Sequence, residues 1–426
     1  MTENKTYISS CRFDLMAKYL YIKFKDKDIS SKFYHELYCS HIATFNNCNE
    51  FVDSEVPNQK PKKCIEDFIT SFDNLILSIK ENGFNSDYPI TLGNNGVIVN
   101  GAHRLMISYF YHKQPIFKMM NERGNMSYNC DFFMNRGVYP SLSPLYMDTM
   151  ALEYIKHNPN IRAMILYPTV YPHNKFGELV QIINQYAYIY YKKRVNLTPN
   201  GVSNLIKEMY RGEDWIGGLF PKGFSPGGKA DRCIGNNAFP TIILLLDMKD
   251  LSKCVELKEK CRNLFGLGKH SLHISDYTKD TFRIASSLLN ENSIDYLNKG
   301  TNDISENTKK LLAQYFEKVG DDNEDYCLTS SIIMEMYGLR QAKDLDYLHT
   351  CDKKIAINDT GIHDGKWLSY YHTHKHEIIY NVSNHFYFNG YKFAVMNVII
   401  KMKENRNEPK DQNDLELLNS NKLFKE

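Results

Sequence analysis

Between residues 158 and 298, apolar runs of strand length alternate with helical patterns. This alternation restricts the fold more than any single motif. IRAMILYPTV reads as a strand ending at Pro168. KFGELVQIINQYA reads as an amphipathic helix with Phe176, Leu179, Ile182 and Ile183 on one face. IYYKKRVNL is a second strand, and TPNGVSNLIKEMY opens with Thr198 as N-cap and Pro199 in the first helical position. FPTIILLLD, the helix LSKCVELKEKCRNLFG, the strand KHSLHISD and the helix TKDTFRIASSLLN complete the series. Helices interleaved with strands in this order predict an α+β sheet.

Further on, CLTSSIIMEMYGLRQAKDLDYLH (Cys327–His349) reads as a short apolar strand, the turn Thr329-Ser330-Ser331, a helical segment ending at Gly338, and a strand carrying Asp344 and Asp346. Period-two alternation puts both carboxylates on one strand face. Two acids converging in an apolar strand are costly unless a cation neutralises them. Mg²⁺, or Mn²⁺ in its place, is suited to this, because Mg²⁺ is held by one or two carboxylates together with phosphate oxygens. A solvated strand end with two exposed aspartates explains the same residues without a metal. HKHEIIYN alternates like another strand, which selects Glu377 as third carboxylate over Asp359 and Asp364. It would also set His372, His374 and His376 on one face, with His363 nearby, as a surface stripe or a phosphate contact ahead of a transition-metal site.

In the first third, Ile65, Phe68, Ile69, Phe72, Leu75, Ile76 and Ile79 recur at helical spacing, and Asn82-Gly83 closes that helix. YPITLG and GVIVNG follow as short strands around the turn Asn94-Asn95-Gly96. The second strand runs through Gly101-Ala102-His103-Arg104 into a new helix. Free N–H groups, the helix dipole and a guanidinium can converge there on an anion such as phosphate. A tight turn with an exposed histidine and a structural arginine is the plainer account.

The 426 residues suggest about three domains, and we place them at 1–150, 158–298 and 305–426, with the polar stretch 298–308 as a linker. A formal charge of +2 gives no global argument for nucleic acid or an acidic membrane surface. No apolar run reaches the ~18 residues of a membrane span, and the N-terminus lacks the basic-then-apolar layout of a signal peptide. Ten cysteines, scattered without a C-x-x-C, fit reduced thiols. The expectation is a cytoplasmic protein.

Three resemblances sharpen these readings. Helix, strand, turn, strand, GAHR and helix over residues 65–115 resemble the ParB/sulfiredoxin superfamily. This implies phosphate contacts for Gly101, His103 and Arg104; DNA binding would also need a helix-turn-helix and a basic surface, which the sequence lacks. The middle region, with LKEKCRNLFGLGKHSLHISD, is similar to nucleoside diphosphate kinase. That resemblance implies a ferredoxin-like sheet with Arg262 on phosphate and His273 as the phosphorylated histidine, followed by Ser275 and Asp276. Here Tyr167 stands where the family has a lysine, and Ile274 where it has a glycine.

Residues 305–426 resemble the nucleotidyltransferase (polymerase-β-like) superfamily, in which a Gly-Ser or Ser-Ser turn precedes a helix and a D-x-D strand. The turn here lacks the usual glycine. The resemblance implies phosphate contacts for Ser330 and Ser331, metal ligation by Asp344, Asp346 and Glu377, and a closing helix whose Lys410 meets phosphate. Together the three imply transfer of a nucleotidyl group from a nucleoside triphosphate to a small, phosphorylated acceptor, as in precursor synthesis for a surface polysaccharide. The alternatives are a transferase acting on a macromolecule, as in toxin or defence systems, and a non-catalytic nucleotide sensor.

Overall fold

The computed structural model describes residues 11–27, 31–47, 61–125, 127–136, 142–218, 226–235, 239–301, 304–321, 323–352, 355 and 360–421. It is a mixed α+β structure in two compact units. One comprises residues 1–159 with 188–191, and the other residues 160–187 with 192–426. Among the described residues no helix is long and apolar enough to cross a membrane.

The first unit is organised around the helix Leu15–Phe24, eight of whose ten residues are buried. Its aromatic residues pack ring on ring: Phe24 stacks on Tyr34 at 3.9 Å, Tyr21 lies 4.7 Å from Tyr38, and Phe72 from the helix Ile65–Asn82 lies 5.4 Å from Tyr21. The helix Ile65–Asn82 ends as its sequence requires, with Gly83 at φ 80° closing it. Beside the helices is a small sheet of β1 (Ile90–Leu92), β2 (Ile98–Asn100) and β3 (Phe117–Met119), in the order β2-β1-β3. The expected hairpin is β1–β2, antiparallel, and β3 adds in parallel to β1.

A buried ionic cluster secures the start of the chain. Asp14, 1 % exposed, accepts two hydrogen bonds from the Arg12 guanidinium, both 2.8 Å, and one of 2.6 Å from Lys18 Nζ. Arg12 also donates to the carbonyl of Ile98 on β2 at 2.9 Å. Burial opposes ionisation of Asp14, but Arg12 and Lys18 outweigh it and hold the carboxyl well below the usual range. Nearby His41 is 1 % exposed, with both ring nitrogens buried and without a hydrogen-bond partner.

The second unit carries two sheets. The first contains β4 (Ile161–Leu166), β5 (Ala187–Val195), β6 (Thr241–Met248) and β7 (Leu272–Ile274), in the order β5-β6-β4-β7. β4 runs antiparallel to both β6 and β7. With the helices Phe176–Tyr186 and Cys254–Phe265 as crossovers, this is the split βαβ arrangement that the alternating pattern predicts. β4 and β6 are almost wholly buried, which explains their near-continuous apolar runs.

The second sheet contains β8 (Tyr326–Thr329), β9 (Leu345–His349), β10 (Thr360–Ile362), β11 (His385–Phe388) and β12 (Tyr391–Ala394), in the order β10-β9-β8-β12-β11. β8 and β9 are antiparallel, while β9–β10 and β8–β12 are parallel.

The stretch expected as a linker joins these sheets within one unit. Asn298 accepts a hydrogen bond from Thr198 N–H at 2.8 Å, and Asn204 donates to the carbonyls of Leu297 and Gly300. The buried Glu335 carboxylate accepts from Ser305 N–H at 2.6 Å and from the Thr308 hydroxyl at 2.7 Å. Residues expected as two domains therefore belong to one compact unit.

Candidate active site

At one end of the second sheet, β8 runs into the helix Ser331–Met336 through Ser330. Ser330 has φ 65° and ψ −135°, a conformation that favours glycine. Ser330 is thus held, against preference, in a backbone conformation that glycine adopts without strain. From this turn the Ser331 hydroxyl donates to Asp344 Oδ1 at 3.3 Å. Asp346 sits on β9 abreast of Thr329, the last residue of β8. Turn and acids thus converge, with Asp344 exposed and Asp346 half-buried.

A chain of polar contacts extends inward from Asp346. His363 Nε2 lies 3.4 Å from Asp346 Oδ2, its Nδ1 lies 2.6 Å from Tyr371 Oη, and Tyr371 Oη lies 2.9 Å from Thr329 Oγ1. Tyr371 Oη thus shares one hydrogen bond with His363 Nδ1 and another with the Thr329 hydroxyl. Burial raises the Tyr371 phenol above its ordinary value and keeps it a donor. Neither Tyr371 nor Thr329 carries a sequence signal for this role. His363 reaches Asp346 because β10 pairs with β9, a non-local contact of a three-residue strand.

Glu377 lies elsewhere. HKHEIIYN is not a strand: Lys375–Tyr380 forms a helix capped by His374, and Glu377 accepts from Asn381 at 2.8 Å. The shared strand face for His372, His374 and His376 is lost with it. Among the described residues no three His, Cys, Asp or Glu groups are close enough to hold a metal ion, so Asp344, Asp346 and Glu377 do not form a three-carboxylate centre. Asp359 lies outside the described residues. Lys410 is also remote in character, with a side chain 63 % exposed and 3.0 Å from Glu408. The closing charges are structural. Buried Lys403 contacts Asp411 and Asp414, Arg406 binds Asp411, and Arg340 binds Asp414, tying the helices Met396–Arg406 and Pro409–Ser420 together.

A second cluster surrounds His273 on β7. The imidazole is 7 % exposed and packs edge-on against Tyr210 at 4.7 Å. Burial, then Lys258, Lys229, Arg262 and Arg283, hold it well below its ordinary value, hence neutral. Arg262 pairs with Glu259 at 2.8 Å and keeps a buried Nε without a partner. Lys229 lies 4.7 Å from the Tyr210 ring centre and 5.7 Å from that of Tyr167, the residue standing where the resembled family has lysine. Lys229 comes from the glycine-rich segment before β6, whose irregular pattern hid it. Ser275, by contrast, is a core residue, accepting from Ala163 N–H at 2.9 Å.

In the first unit, Gly101 takes φ 96° immediately before the helix Ala102–Phe110, and a side chain there would press on Ile90. His103 hydrogen-bonds Tyr38 Oη at 2.9 Å and packs against Phe72 at 4.6 Å. Burial, chiefly, keeps it well below its ordinary value. Arg104 donates to the Pro89 carbonyl at 3.3 Å. Both side chains of the G-x-H-R turn are thus engaged by protein groups. No family model, curated protein or solved structure matches the chain, so the functional argument rests on these geometries.

Proposed function

We propose that the chain is a nucleotidyltransferase that takes a nucleoside triphosphate with Mg²⁺ or Mn²⁺ and passes its nucleotidyl group to a small acceptor. The observation that carries this reading is Ser330, held at φ 65° in the turn that brings Ser331 to Asp344. Strain of this kind persists where the surrounding structure over-determines it, and it clusters at ligand-holding sites. Two carboxylates without a third close ligand suit Mg²⁺, which keeps several waters and takes phosphate oxygens alongside one or two acids. Asp344 and Asp346 would hold the ion, and when bound it would neutralise charge developing on the transferred phosphate. Ser331 orients Asp344, and His363 orients Asp346.

The test is pyrophosphate release from each of the four nucleoside triphosphates with Mg²⁺ and a panel of phosphorylated metabolites. Asp344→Asn and Asp346→Asn are each expected to abolish it; turnover at the wild-type rate in both removes the assignment. Label from the α-phosphate appearing in a macromolecule would redirect the acceptor to the toxin or defence class. Saturable nucleotide binding without turnover would make the chain a sensor.

A second reading, phosphoryl transfer through His273, is favoured by its neutral, buried imidazole among Lys229, Lys258, Arg262 and Arg283. A neutral imidazole can attack a γ-phosphoryl group when cations offset the charge. It predicts an acid-labile phosphate on the wild-type chain that His273→Gln lacks. The engaged side chains of His103 and Arg104 give a kinase role for the first unit the least support.

A further inference from the structure

The nucleotidyl-transfer reading leaves the nucleobase without a place, and the surface beside Asp346 offers one. Trp367 is 41 % exposed, yet it is framed by neighbours. Its ring lies parallel to His363, with centroids 5.2 Å apart and 9° between planes. Arg406 Cζ lies 5.8 Å from its centroid, and that guanidinium is fixed by Asp411 at 2.8 and 2.6 Å. The short turn Gly365–Tyr370 that carries Trp367 is secured at both ends. Asp364 accepts from Gly365 N–H at 3.0 Å, and Asn405 donates to the carbonyls of Ser369 and Tyr370, both at 3.1 Å.

Resting on the nucleotidyl-transfer reading, we propose that Trp367 is the stacking platform for the nucleobase of the substrate. An aromatic plane held in place loses little freedom when a base stacks on it, and an adjacent guanidinium adds to the attraction. The indole and the Asp346 carboxylate are joined through one imidazole, since His363 contacts both. A base on Trp367 therefore has its sugar and phosphates within reach of the acids. Stacking uses the π-face that every base has, so this site selects for a base-bearing triphosphate and discriminates weakly among bases.

The chain has two tryptophans, so Trp215→Phe leaves Trp367 as the sole indole reporter. Mg²⁺–ATP is expected to quench its fluorescence saturably, while Mg²⁺–tripolyphosphate, which has no base, leaves it unchanged. Trp367→Ala should weaken ATP binding between about 5-fold and 150-fold, in KM more than in kcat, and Trp367→Phe should recover most of it. Equal quenching by tripolyphosphate, or wild-type ATP affinity in Trp367→Ala, overturns the inference. If turnover depends on Asp344 and Asp346 but KM ignores Trp367, the stacking site alone fails. If ATP quenches Trp367 but the aspartate variants turn over normally, the transfer reading fails and the base site stands.

Discussion

Replacing Ser330 by glycine tests whether the turn between β8 and the helix Ser331–Met336 stores strain. A residue with a Cβ in left-handed backbone costs roughly 1–2 kcal/mol, and Ser330 is held there at φ 65° with only 6 % exposure. Glycine removes that cost but adds unfolded-state freedom worth about 0.4–1 kcal/mol in the opposite direction. The net expectation for Ser330→Gly is a gain of about 0–1.6 kcal/mol, centred at about 0.8 kcal/mol. At about 2–4 °C per kcal/mol for a unit this large, Tm rises by a few degrees. Ser330→Ala keeps the Cβ and should change stability by less than about 0.5 kcal/mol. Urea melts followed by circular dichroism separate the cases, provided the m-value is unchanged. Ser330→Gly should also retain pyrophosphate release, because it keeps the shape of the turn. A glycine variant no more stable than the serine chain would refute the stored-strain argument, and with it the main support for a ligand-holding turn.

Three further outcomes follow from where the charged and titratable groups lie. His41 is held well below its ordinary value by burial first and then Lys18. The unfolded chain therefore binds its proton near pH 6.5 while the folded unit does not, so stability is complete above that pH and falls as pH drops below it. The slope is about 1.4 kcal/mol per pH unit, with His103 acting in the same direction; His41→Gln should flatten the profile measured by urea melts from pH 7 to 5. Asp14→Asn would strand Arg12 and Lys18 in the interior and should cost about 3–5 kcal/mol, part of which Lys18→Met should restore in the double variant. Lys410→Ala removes an exposed pair with Glu408 and should leave urea stability within about 0.5 kcal/mol and pyrophosphate release at the wild-type rate.

The middle sheet is legible because β4 and β6 are long, apolar and buried, and because the helix between β5 and β6 carries a clear N-cap. Thr198 accepts from Gly201 N–H as its position before Pro199 implies, and the run TIILLLDM is buried along nearly its whole length. Short elements gave no such signal. Lys375–Tyr380 is six residues long, too few for helical and strand periods to separate, and Glu377 was misplaced as a result. Residues 298–308 look like a linker because their ties are polar: Asn204 donates to the Gly300 carbonyl, Glu335 accepts from Ser305 N–H, and Asn298 itself accepts from Thr198 N–H, none of which leaves an apolar pattern. The serine turn and Asp346 are readable together because β8 and β9 are an antiparallel pair with Thr329 abreast of Asp346; Asp344, expected on the same strand, lies just ahead of β9 and not in it. His363 and Lys229 approach their sites through contacts distant in sequence, and a period has no information about those.

The geometry of β10 sets what stands beside Asp346. Gly361 lies abreast of Asp346 in the parallel β9–β10 pair, and a Cβ at that position would collide with Asp346 Oδ1. In a parallel pair, residues in register project from the same face, so with glycine at 361 the Asp346 carboxylate lies where a side chain would otherwise stand. Two residues on, the same face presents His363, whose Nε2 meets Asp346 Oδ2. The sheet thus gives this end of β9 an acid with an imidazole beside it, and Asp344 just ahead of the strand. Any ion held by Asp344 and Asp346 would have to complete its coordination from water and substrate oxygens, so ion and nucleotide would bind together.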